Sequence, residues 1–295
     1  MKTYRYYMAM ATVASLAAYS CSSNEEPAEK QDPVYITVNT MIGAASRTVT
    51  QDDGTEAFAD GDVISVYAWT GSGTTVPNDL VVNNSLNTLT KGTWVANPQM
   101  LWQNMTASHY FLGVYPARQI TNFTADTFTL GASASDNDIL VAVNNSGLTA
   151  TQNPVTLTFN HIMAKLVVNL TYRNQWEGLN PTVSGVVAKA AKAATIDYLA
   201  TAPVTATGEI ADITLDSATA NAKYTAVMVP QTSFQTITVT IDGKPYTYDN
   251  GKAIALESGK ITTVNLIVGR DKISAESVSI NDWKQGETIN GGEAL

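Results

Sequence analysis

From Val34 to Trp283 the chain repeats one pattern. Short runs rich in Val, Ile, Thr, Tyr and Trp, with apolar and polar side chains alternating, are cut at short intervals by Gly, Pro, Asn and Asp. A period of two is that of a half-buried strand, and short strands joined by turn-formers build sandwiches or barrels rather than βαβ units. The run 34–42 sets the type: Val34, Ile36 and Val38 alternate with Tyr35, Thr37 and Asn39. Further strands are expected at 63–69, 109–115 (stopped by Pro116), 123–130, 139–143 and 155–159. A second series is expected at 166–172, 183–188, 210–215, 224–229, 236–241, 261–268 and 278–283. Asp242-Gly243, between 236–241 and Tyr246-Thr247-Tyr248, signals a two-residue type I′ hairpin, which needs positive φ at both central positions. The stretch between 70 and 108 carries Trp94 and Trp102 but reads as a long Asn- and Thr-rich excursion. The run 188–194, AKAAKAA, has high helix propensity, and a short helix is compatible with it. The fold class is all-β. Two sandwich domains, 34–164 and 165–295, hold the strands better than a single pair of sheets. Nothing between Asn160 and Leu166 resembles a linker, so one strand can run through the joint.

The front of the chain has a different character. Lys2 and Arg5 precede an apolar run, 8–18, that is too short to span a bilayer, and small residues follow. This is the layout of a signal peptide over 1–20. Cys21, directly after Ala18-Tyr19-Ser20, resembles the acylated cysteine of a bacterial lipobox, although Ala18 stands where Leu is preferred. An ordinary signal peptide with an incidental cysteine is the alternative. The polar stretch 21–33 then reads as a lipidated tether. Ser22-Ser23-Asn24-Glu25-Glu26 is similar to the acidic tag that sends Bacteroidetes lipoproteins to the outer face of the outer membrane.

Charge and chemistry exclude more than they assign. Residues 1–20 hold two basic and no acidic side chains, so their removal takes the formal charge from −9 to −11. That balance, with no basic cluster, argues against nucleic acid as a partner. Cys21 is the only cysteine, which leaves no disulfide. The two histidines, His109 and His161, are far apart in sequence and flanked by strand residues, and both read as structural. No nucleophile elbow or phosphate-binding glycine loop is present, and no cofactor is implied. The acidic stretch QDDGTEAFADGD lacks the spacing of a calcium loop, so no metal is assigned. Carboxylate pairs leave no signature, but nothing here marks an enzyme. Asp216-Ser217-Ala218 matches a short O-glycosylation pattern of Bacteroidetes.

Several motifs in a fixed order resemble the fimbrillins of Bacteroidales, the Mfa-like lipoprotein precursors of protease-assembled type V pili. They are the lipobox at Cys21, Phe58-x-x-Gly61-Asp62-x-Ile64-x-Val66-Tyr67, and Tyr110-Phe111-x-x-Val114-Tyr115-Pro116. Then come Leu157-Thr158-Phe159-x-His161-x-Met163-Ala164-Lys165-Leu166, Val229-Pro230-Gln231 and Ser258-Gly259-Lys260. The series ends with Ile280-x-Asp282-Trp283-x-x-Gly286 and Gly291-Gly292-Glu293-Ala294. The resemblance implies two tandem transthyretin-like sandwiches and a pilus subunit exported as a lipoprotein and anchored in outer-membrane lipid through Cys21. It further implies cleavage between Arg47 and Thr48 by a processing protease and displacement of the first strand with Val34, Ile36 and Val38. The vacated place would be filled by a donor segment from 273 onward, with Val278, Ile280 and Trp283, from a neighbouring subunit of an extracellular pilus. Host or bacterial surface receptors are further partners of such assemblies. Two other readings stay open: a lipid-retaining anchor or adhesive tip, and a surface glycan-binding lipoprotein using Trp69, Trp94 and Trp102 as sugar platforms.

Overall fold

Alternating side chains become strands wherever one face can be buried, and a computed structural model of the chain, describing residues 34–43, 57–176 and 181–283, is built almost wholly that way. The first half supplies β1 (Tyr35–Ile36), β2 (Val38–Ile42), β3 (Val63–Thr70), β4 (Val82–Thr90), β5 (Thr93–Asn97), β6 (Met100–Leu101), β7 (His109–Tyr115), β8 (Asp126–Thr129), the one-turn α1 (Ala134–Asn137), β9 (Leu140–Leu148) and β10 (Val155–His161). The second supplies β11 (Ala164–Tyr172), β12 (Val183–Ile196), β13 (Val204–Thr214), β14 (Asp216–Thr219), β15 (Lys223–Met228), β16 (Gln231–Ile241), β17 (Lys244–Leu256), β18 (Lys260–Val268) and β19 (Ile273–Asp282). Cys21, Arg47, Thr48 and the tail beyond Trp283 lie outside the described residues.

Seven strands of the first half form one sheet in the order β2-β10-β9-β7-β3-β4-β5. Its two ends approach each other: the indole Nε1 of Trp94 on β5 donates to Thr40 Oγ1 on β2 at 2.9 Å. The curl encloses a core of Ile36, Val38, Val66, Phe111, Leu157 and Phe159, among others. The opposite face is buried too, since Tyr67 and Trp69 belong to a second, larger core that runs on into the other half. Strand β3 is therefore covered on both sides, which explains the nearly unbroken apolar run VISVYAW. Three strands, β4, β5 and the two-residue β6, occupy the expected excursion. Their pattern was obscured because Ser85 and Asn87 face inward and are buried; Ser85 Oγ donates to Pro98 O at 2.6 Å and Asn87 Nδ2 to Ser85 O at 3.0 Å.

The second half forms two sheets, β14-β15-β11-β18-β19 and β13-β12-β16-β17, around residues such as Val168, Val186, Ile237 and Leu266. The AKAAKAA run is extended, in the middle of β12. Ala188, Ala190, Ala191 and Ala194 are buried there, and ladders on both edges outweigh a helix propensity that is weak beside tertiary pairing. Gln231 spans the irregularity at Ala191: its Oε1 accepts from Ala191 N at 2.9 Å and its Nε2 donates to Val229 O at 3.0 Å. The Asp242-Gly243 hairpin forms as expected, with φ of 50° and 76°.

Two features tie the halves together. Between β10 and β11 stand only Ile162 and Met163, so the chain passes almost straight from one sheet into the next. Strand β8, shorter than the expected 123–130, pairs with the end of β12, from Ile196↔Asp126 to Ala193↔Thr129. Asp126 is also gripped on both sides, by Arg118 Nη2 at 2.9 Å and by the donated hydroxyl of Tyr198 at 2.7 Å.

Candidate functional site

The leading segment, β1 and β2, is held in a distinctive way. In β2 it runs parallel to β10, from Val38↔Val155 to Ile42↔Phe159, at the edge of the curled sheet, whereas β1 turns aside to pair with β6. Further bonds fasten it: Thr37 N to Asn153 Oδ1 (2.9 Å), Val155 N to Thr37 O (2.8 Å), Trp102 N to Val34 O (3.1 Å) and Gly43 N to Phe159 O (2.8 Å). Ile36 and Val38 are 2% and 5% exposed, as the alternation predicts. Val34 departs from that expectation at 37% exposed: it precedes β1 and reaches past the core it was expected to fill.

An open cleft of about 710 Å³ lies between β2 and the β4–β5 turn, lined by Val38, Thr40, Ile42, Phe58 and Trp94 among others. Phe58 is its fixed point, meeting Trp94, Tyr115 and Phe159 edge-on at 5.3 Å each. The rest of that motif builds the turn behind it. Asp62 Oδ2 accepts from Ala59 N at 2.7 Å, and Asp62 Oδ1 accepts from the Tyr115 hydroxyl at 3.1 Å. Burial, reinforced by the Asp62 carboxylate, pushes the Tyr115 phenol up to about 12.

The last strand, β19, is an edge strand paired antiparallel to β18. Val278 and Ile280 sit opposite Val264 and Thr262, which are fully buried, yet remain 40% and 38% exposed. At the end of β19, Trp283 is buried and stacks on the His161 ring at 3.8 Å and 11°, with Lys165 Nζ 5.6 Å from the indole. His161 is oriented by Asp138 Oδ1, 2.6 Å from its Nδ1. Gly259 closes the same joint: its N donates to Met163 O at 2.8 Å and its O accepts from Trp283 N at 3.2 Å. Its φ of +66° and the His161 carbonyl, 2.9 Å from where a Cβ would stand, leave no room for a side chain.

The remaining sequence candidates fall as follows. His109 is buried, with Nε2 accepting from Gln103 N (3.1 Å) and Nδ1 donating to Ala107 O (2.9 Å); burial lowers its pKa below the ordinary histidine value. Trp69 and Trp102 are buried and present no ring face for a sugar, whereas Trp94 is half-buried, with its N–H engaged and its side chain lining the open cleft. Among the described residues no group of three or more His, Cys, Asp or Glu is placed to hold a metal, and no described helix is long and apolar enough to cross a membrane. Sequence reasoning missed the Trp94–Thr40 and Tyr198–Asp126 bonds, whose partners stand 54 and 72 residues apart and leave no local signal.

Comparison with known proteins agrees with this architecture. A fimbrillin-like family model matches residues 46–283. Among solved structures, a candidate cell adhesion protein from Bacteroides uniformis superposes with a TM-score of 0.66 at 18% identity, over 85% of this chain and 99% of that one. A fimbrial protein from Bacteroides vulgatus gives 0.52 at 13%, over 85% and 99%. The tip fimbrial protein Mfa3 from Porphyromonas gingivalis, with C-terminal truncation, gives 0.50 at 13%, over 85% and 100%. At these identities the likeness is one of fold. No curated protein matched in sequence.

Proposed function

The chain belongs to the fimbrillin-like family, and on that premise we propose that it is a structural subunit of a cell-surface pilus, polymerised by exchange of its leading strand. The observation that carries the reading is the leading segment itself. Ile36 and Val38 are buried in the first core, yet the segment occupies a sheet edge and connects onward only through residues 44–56. Burying two such side chains stabilises the closed form by roughly 3–6 kcal/mol before ordering costs. A precursor of this kind is a closed monomer. Cleavage after Arg47 removes the covalent link, and departure of the strand leaves an apolar groove flanked by the unpaired edge of β10. Such an edge recruits a replacement strand.

The replacement comes from the C-terminal segment of a neighbouring subunit, beginning near Ile273. That contact is head-to-tail and does not close on itself, so it propagates as a filament. Export as a lipoprotein with acylated Cys21 holds the precursor at the outer-membrane surface until a protease acts, and the two halves, 34–164 and 165–295, serve as acceptor and donor modules. The role is structural, not catalytic. Arg47→Ala should accumulate a lipidated, monomeric precursor, and surface-sheared material should lose its ladder of polymers on a gel. Normal filaments from Arg47→Ala would sink the cleavage step and leave the anchor or tip role.

A further inference from the structure

The groove filled by the leading strand is not uniformly apolar. Its occupant presents Ile36, Val38, Thr40 and Ile42 inward in turn, and the third of these is polar because the Trp94 indole N–H requires an acceptor there, at 2.9 Å from Thr40 Oγ1. Phe58 packs edge-on against Trp94, so the donor stands at one fixed height along the groove. Apolar contacts tolerate a strand sliding by two residues, since the same face stays inward. A half-buried donor does not, because sliding leaves it without a partner.

The last strand repeats the pattern of the first. Ile36-Thr37-Val38-Asn39-Thr40 reads β-branched, hydroxyl, β-branched, Asn, side-chain oxygen, and Val278-Ser279-Ile280-Asn281-Asp282 reads the same in the same order. Strand β19 pairs only with β18 among the described strands, so one of its backbone edges is available, and Val278 and Ile280 are only partly covered. Asp282 is engaged by Lys260 at an exposed site, where an ion pair is worth little in water.

We propose that Val278–Asp282 of a second copy of this chain occupies the groove in the register of Ile36–Thr40, with the Asp282 carboxylate accepting the Trp94 N–H. This rests on the strand-exchange reading and adds to it the register and the residue that reads it. Trp94 becomes a selectivity element, favouring tails with a side-chain oxygen two residues after a pair of alternating β-branched residues.

The test is competitive binding to the full chain cut after Arg47, with its leading fragment still present. The probes are fluorescent synthetic peptides spanning residues 34–42 and 276–284. The 276–284 peptide should bind, its Asp282→Leu form about tenfold or more weakly, and its Asp282→Asn form within a few-fold of the parent. Against Trp94→Phe, which keeps the ring packing and loses the N–H, the gap between Asp282 and Leu should close. Because the peptide variants alter no folded protein, the first three measurements stand even if Trp94→Phe misfolds. Equal binding of the Asp282 and Leu peptides to the unaltered chain overturns the register. Binding of 34–42 without 276–284 overturns the occupant. If neither binds, the strand-exchange reading itself fails.

Discussion

The two halves solve the same packing problem differently. The first closes its core with a curled sheet whose final strand, β2, is parallel, short and at the edge, and its core includes Ile36 and Val38 from the leading segment β1–β2. The second closes its core with two facing sheets, and its own edge strand, β19, is paired along its length with β18 and pinned at its end by Trp283. On the strand-exchange proposal the first edge is the one given up, whereas the second is held at its end while presenting partly exposed apolar side chains. Loss of the leading strand would therefore empty a core, whereas engagement of β19 would draw on Val278 and Ile280, which are only partly covered.

The comparison breaks most severely if the halves are not separable. Because β8 pairs with β12, and Asp126 bonds both Arg118 and Tyr198, fragments 34–164 and 165–295 made apart should fail to fold, each giving poorly dispersed NMR spectra. Two well-dispersed spectra would show that the two halves fold independently. Smaller, but still large, is the effect expected at the pinned end. Trp283→Ala should cost about 3–5 kcal/mol in urea unfolding, the range for truncating a buried aromatic, and should loosen β19 in hydrogen exchange before β2. Faster exchange confined to β2 would reverse the assignment of fixed and removable edges.

The smallest effect is set by pH. Burial raises the Tyr115 phenol to about 12 in the first half and Tyr172 to about 12 in the second, above the ordinary value of 10.0. The native state thus holds protons that the unfolded chain gives up between those values. The stabilisation from each phenol is complete below pH ~10 and is lost as pH rises from ~10 through ~12. Urea midpoints should be flat at neutral pH and fall above ~10, and Tyr115→Phe should reduce the slope of that fall without abolishing it.

Most strands were legible because one buried face imposes a period of two, and the Asp242-Gly243 hairpin was legible because its φ angles restrict the residue choice. Legibility failed where that logic was suspended. Ser85 and Asn87 face inward and satisfy themselves locally, hiding β4 and β5, and β12 buries alanines, whose helix propensity points the other way. Within the site, Ile36 and Val38 could be placed from alternation alone, but Val34 could not, because alternation says which face a residue takes and not where the core ends. The motif residues Phe58, Asp62, Gln231 and Gly259 could be listed from sequence, whereas what each one touches depends on elements far away in the chain.

The two-residue passage from β10 to β11 has a mechanical consequence. A pull applied at the strand lying against β10 enters a backbone that continues, after Ile162 and Met163, into the middle of the next sheet. There β11 is bound to β18 through eight parallel residue pairs, from Lys165↔Ile261 to Tyr172↔Val268, and β18 is bound in turn to β19. Tension along the strands is then borne in shear by many hydrogen bonds at once instead of peeling them singly. The strand that connects the two halves is also the one through which a filament would carry its load.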